Sequence, residues 1–179
     1  MSGDESAGSD LREWARVARG LADLVFDMDV IVGVFDNNFL AEHSCAGLEL
    51  CREPLRCAVS IDGELASLDA VTLDDLRRHS LMLVRRGWDG DIDVLCDRIH
   101  RDYPDIKLVD LLQYRAEIFN RAANEELALV TLPIWREVHP LLWTVPTDWN
   151  ISVSYGLLYV PEPAGYVAEF PNTVRAVIE

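Results

Sequence analysis

The chain has 179 residues, of which 31 are acidic and 16 basic, giving a formal net charge of −15 at pH 7; half of the residues are apolar and 26% are charged. This composition excludes a disordered chain. The charge argues against nucleic acid and against anionic membrane surfaces, since both present phosphates, and it favours a basic protein partner, cations or simple solubility.

Fifteen of the bases are arginine and Lys107 is the one lysine, which speaks against lysine-based chemistry. No apolar run reaches the roughly 18 residues that a spanning helix needs. The start, Met1-Ser2-Gly3-Asp4-Glu5, lacks the basic and apolar regions of a signal peptide. The expected location is therefore cytoplasmic, with the four cysteines as reduced thiols.

Residues 1–9 are small, polar and acidic, and read as a mobile lead-in to a single globular domain over 10–179. Asp10 can cap a helix in which Leu11, Trp14, Ala15, Ala18, Leu21, Ala22 and Val25 recur at helical spacing. Val30 to Phe35 is short and β-branched and predicts a buried strand, closed by Asp36-Asn37-Asn38. Residues 40–54 fit no single pattern. Leu55 to Ile61, Asp62-Gly63 and Glu64 to Ala70 predict a β-hairpin, because Asp-Gly suits the positive-φ positions of a tight turn.

The block from Thr72 to Ala123 reads as three helices. Thr72 with Asp75 makes a capping box, followed by Leu73, Leu76, Ser80, Leu83 and Val84 on one stripe and a stop at Gly87. A second helix, about Asp91 to Tyr103, places Ile92, Leu95, Cys96 and Ile99 together and ends before Pro104. The third, roughly Ile106 to Ala123, aligns Leu108, Leu111, Leu112, Ile118, Phe119 and Ala122, with Arg115 inside the same apolar seam. A guanidinium cannot shed its charge, so in that seam it needs a facing carboxylate, a set of carbonyls or a bound anion.

Leu127 to Leu132 predicts a strand, and Pro133 to Trp149 an ordered loop with a short helical turn. Asn150 to Val160 predicts a long strand, followed by a turn at Pro161–Gly165 and strands near Tyr166–Phe170 and Thr173–Ile178. Strands at both ends of a helical block predict an α+β fold: an N-terminal helix and a three-helix block packed on a mostly antiparallel sheet.

Four groups of residues bear chemistry. Phe26-Asp27-Met28-Asp29 resembles the first motif of haloacid-dehalogenase-type phosphatases over about ten residues. That resemblance would imply an attacking Asp27, a proton-handling Asp29 and Mg²⁺. Val30 stands where that motif has glycine, and no Gly-Asp-x-x-x-Asp motif follows Lys107. Helical spacing also runs up to Val25, so Asp27 and Asp29 are read as helix-end and turn residues.

His43, Cys45, Cys51 and Cys57 lie close in sequence but lack paired Cys-x-x-Cys spacing, so core thiols are expected rather than zinc. Cys96 and His100 are one helical turn apart, yet Cys96 lies on the apolar side, which favours packing over a nucleophilic dyad. Trp135, His139, Trp143 and Trp149, interleaved with three prolines, offer rigid flat surface of the kind protein interfaces use, or else cap the sheet. Phosphate-binding glycine loops, Gly-x-Ser-x-Gly and His-Glu-x-x-His are absent.

The resulting expectation is a non-enzymatic acidic interaction protein (an inhibitor, immunity-type or adaptor module) without cofactor, metal or catalytic residues. It would present its acidic face and the Trp135–Trp149 segment to a basic protein partner, not to nucleic acid or membrane. The alternative is a small-ligand-binding protein or enzyme with an anion site at Arg115.

Overall fold

The computed structural model describes residues 30–178. The expected lead-in 1–9, the helix from Asp10 to Val25 and the Asp27/Asp29 motif lie outside the described residues. The described residues form two compact units, Arg52–Val153 and 30–51 with 154–178. Each is described by itself.

The unit Arg52–Val153 is built on a five-stranded mixed sheet. Its strands are β3 (Arg56–Ser60), β4 (Ser80–Val84), β5 (Lys107–Leu111), β6 (Ala128–Thr131) and β7 (Leu142–Val145), in the order β5-β4-β6-β3-β7. β4 runs parallel to β5 and β6, whereas β3 is antiparallel to β6 and β7. The helix α2 (Gly90–Asp102) joins β4 to β5, and α3 (Ala116–Asn124) joins β5 to β6. Leu81, Met82, Leu83 and Val84 are all buried. Parallel strands covered on both faces carry such unbroken apolar runs.

That burial explains how the three-helix block misreads. The Thr72–Asp75 box exists: Thr72 N and Oγ1 donate to the Asp75 carboxylate at 2.8 and 2.7 Å, and Asp75 N donates back to Thr72 Oγ1 at 3.2 Å. It opens only a 3-10 turn, Asp75–Arg78, after which the chain becomes β4. Leu83 and Val84 match a helical stripe only because β4 is apolar at every position after Ser80. The second predicted helix is α2, with Ile92, Leu95, Cys96 and Ile99 buried. The third divides into β5 and the shorter α3, separated by residues 112–115.

The predicted hairpin is also corrected. Gly63 has φ −83°, so no positive-φ turn forms, and Glu64–Ser67 is a 3-10 turn rather than a return strand. β3 pairs instead with β6 and β7, which come much later in the chain.

The other unit holds a three-stranded sheet in the order β1-β8-β2, formed by β1 (Val30–Val34), β8 (Ser152–Tyr159) and β2 (Ala46–Pro54). β1 and β8 are antiparallel, Val30 opposite Tyr159 and Val34 opposite Tyr155. Asp36, expected in a turn, caps the short helix α1 (Asn37–Glu42) by accepting from Phe39 N at 2.6 Å. Gly156 is required in β8, because a Cβ there would strike the backbone of Leu48 and Leu50. The two strands expected at the end of the chain are one helix, α4 (Gly165–Ile178), which carries Pro171 inside it.

Candidate functional site

Three loops meet the carboxyl ends of the parallel strands β4, β5 and β6. Val84 is level with Leu111, and Arg56 at the start of β3 lies directly opposite Thr131 at the end of β6. In open sheets with parallel strands, ligands bind at this end, where helix N-termini also point.

The two helix N-termini here differ. Asp89, 2% exposed, caps α2 by accepting from the backbone N of Asp91 and Ile92 at 2.9 and 3.1 Å. An internal carboxylate thus already occupies that positive end. At α3 the N-cap is Arg115, whose side chain makes no capping bond. Its first N–H groups therefore lack a side-chain acceptor and, with the helix dipole, favour an anion.

Arg115 is exposed, not buried in a seam. It lies before α3, so the helical phase that placed it among leucines does not apply. The Gln113 amide oxygen, in the orientation that satisfies both groups, accepts from Nε and Nη2 of Arg115. Among the described residues no carboxylate pairs with Arg115.

Tyr114 anchors this loop. Its hydroxyl donates to the Val130 carbonyl at 2.7 Å, and its ring lies 4.7 Å from that of Trp135 and 6.3 Å from that of Phe119. Burial pushes its phenol pKa upward, so it stays a donor. Thr131 is 1% exposed and its Oγ1 has no partner among the described residues, which costs stability unless another group supplies the bond. Directly opposed residues share a sheet face, so half-buried Arg56 lies on the Thr131 side. Arg56 has no carboxylate partner among the described residues either. Sequence periodicity missed Arg56 and Thr131, because only strand register brings them together.

The remaining candidates are dispersed. Trp143 is 59% exposed and Trp149 only 2%, so the four residues Trp135, His139, Trp143 and Trp149 do not form one surface. Trp135 packs against Tyr114 with its ring tilted by 45°, and the His139 ring nitrogen Nε2 lies 3.1 Å from Asn120 Oδ1. Cys45 Sγ donates to the His43 carbonyl. Among the described residues no three or more His, Cys, Asp or Glu are placed to hold a metal ion. The His100 Nδ1 faces the Cys96 carbonyl at 2.8 Å rather than its sulfur, and burial pushes the Cys96 thiol up to about 11.

The sequence matches no protein-family model and no curated protein. Its fold is similar to the effector-binding domain of QuiR, solved with shikimate: TM-score 0.67 and 13% identity over 98% of this chain and 91% of that one. It is similar to the regulatory domain of Synechocystis CcmR, solved with 2-PG, at TM-score 0.63 and 14% identity over 89% and 79%. It is also similar to CbnR, a LysR family transcriptional regulator, at TM-score 0.65 and 13% identity over 90% of this chain. The chain spans 57% of CbnR's length.

These likenesses correct two expectations. The acidic interaction or adaptor module gives way, because the fold is one found in domains solved with small molecules bound. Net charge was the main ground for a basic protein partner, and charge reports on solubility and steering rather than fold. The exclusion of nucleic acid also falls, since full-length CbnR, of which the chain covers 58%, is solved with its target DNA. Charge restricts what this segment touches, not what a larger protein does. No helix among the described residues is long and apolar enough to cross a membrane.

Proposed function

We propose that the chain is the small-molecule-sensing part of a transcriptional regulator, and that Arg52–Val153 binds an anionic effector at the carboxyl ends of β4, β5 and β6. The observation that carries this reading is the contrast between the two helices. α2 is capped by the buried Asp89 carboxylate, whereas α3 begins at Arg115 with no capping carboxylate, its one first-turn acid being the exposed Glu117. Arg115 supplies its charge and the N–H groups that Gln113 does not hold, the α3 N–H groups supply a second set, and Thr131 and Arg56 extend the site along β6 and β3. No group here is arranged as a nucleophile with its base, so recognition rather than turnover is the chemistry. DNA contact would fall to other parts of such a regulator, since a surface of this charge repels phosphate.

Calorimetric titration with shikimate and a panel of small carboxylates tests the reading. A saturable ligand should bind at least about tenfold more weakly to Arg115→Ala, the loss of one charge-assisted bond. Arg115 is exposed, so stability should change by less than about 0.5 kcal/mol. Binding that is untouched in Arg115→Ala and Arg56→Ala would sink this site.

A further inference from the structure

We infer that a cleft at the opposite end of the larger sheet is a second small-molecule site, and that it takes an organic monocation, an ammonium or guanidinium on a short apolar body. The cleft measures about 300 Å³ and opens between the end of β3, the 3-10 turn after it, His79 before β4, and the start of β6. That volume is at the lower end of small-molecule pockets.

Val59, Leu65 and Ala128 line it and are buried, so part of its wall is apolar and dry. Its charged groups are Glu64 and Glu126, with no lysine or arginine in the lining. Glu64 Oε1 lies 3.1 Å from His79 Nε2, which keeps that carboxylate turned to the histidine. Glu126 has no ion-pair partner among the described residues. Two acids over apolar surface attract a cation and repel an anion.

A second, separate feature agrees. Trp143 on β7 lies directly opposite Val59, so its indole is on the same sheet face as a residue of the cleft wall, and it is 59% exposed. An exposed indole on that face recognises ammonium groups through the negative face of its ring. No three ligating groups converge for a metal among the described residues, so the matching charge is organic rather than a divalent ion.

Titration of the full chain with n-butylammonium chloride at fixed ionic strength, followed by amide NMR shifts, tests this. The amides of Ser60, Glu126 and Leu127 should move saturably, and n-butanol should bind at least about tenfold more weakly. Glu126→Gln should weaken binding by about tenfold or more, Trp143→Ala should weaken it as well, and Arg115→Ala should leave it unchanged. No saturable shift, equal response to n-butanol, or wild-type binding by Glu126→Gln would each overturn the site.

Discussion

The guanidinium of Arg52 and the carboxylate of Asp91 meet at 2.7 Å across 39 positions of sequence. The same guanidinium donates to the Ser152 carbonyl. One side chain thus ties the first residue of the Arg52–Val153 unit to the first turn of α2 and to the strand by which the chain leaves the unit. The pair is half exposed, with 50% and 47% of the two side chains accessible, so its electrostatic part is modest. Arg52→Ala should cost about 1 kcal/mol and lower the melting temperature by about 2–4 °C. A double-mutant cycle with Asp91→Ala should give a coupling of about 0.5 kcal/mol that shrinks with added salt. A coupling of zero at low salt would remove the tie.

Asp89 is the buried cap of α2, and its loss leaves two backbone donors without their acceptor. Asp89→Ala should destabilise by about 1–2 kcal/mol, and Asp89→Asn by much less, since asparagine is an equally good cap. Denaturant unfolding of the two variants measures the difference. Equal losses would show that charge rather than capping matters there.

The Thr72–Asp75 box has a pH signature. The Thr72 hydroxyl, and then its backbone N–H, hold the Asp75 carboxyl below its ordinary pKa of 3.8. A depressed carboxylate adds stability above its unfolded pKa and loses it as pH falls through the folded value. Thr72→Val should therefore be destabilised at neutral pH, with the gap to wild type closing in acid once Asp75 is protonated. An NMR titration should show the Asp75 pKa rising toward 3.8 in the variant. A gap that persists in strong acid would assign the effect to packing.

Thiol chemistry should separate the four cysteines. Cys51 is exposed, whereas Cys45, Cys57 and Cys96 are buried. Burial pushes the Cys57 thiol up to about 12, against a smaller downward pull from the Leu129 backbone bond. Alkylation of native protein in mildly alkaline buffer should modify Cys51 first, and Cys57 and Cys96 only on unfolding. Prompt labelling of Cys57, read by peptide mass, would contradict the packing of β3.

Local rules were legible wherever an element has one buried face. α2 shows its cap, its stripe and its stop before Pro104. What misled was burial on both faces. Ser80–Val84 is apolar at nearly every position, and a continuous run satisfies helical and extended spacing alike. The same ambiguity carried the third helix across β5 and put Arg115 into a seam that does not exist. At the end of the chain, Pro171-Asn172 reads as a break between two strands, yet α4 continues through it. Of the candidate site, Arg115 was visible as a charge needing an anion, although for a mistaken reason. Arg56 and Thr131 were invisible, because nothing local records that the start of β3 faces the end of β6.

The strand order β1-β8-β2 has a consequence for synthesis on the ribosome. β8 stands between two strands that leave the ribosome long before it, with the whole Arg52–Val153 unit translated in the interval. That unit is continuous and can complete its sheet as it emerges. β1 and β2 cannot pair through β8 until more than a hundred residues after β1 have been made, on the order of ten seconds at the usual pace of translation. During that wait Val30-Ile31-Val32-Gly33-Val34 is an apolar strand with both edges open, a segment that invites pairing with another nascent chain.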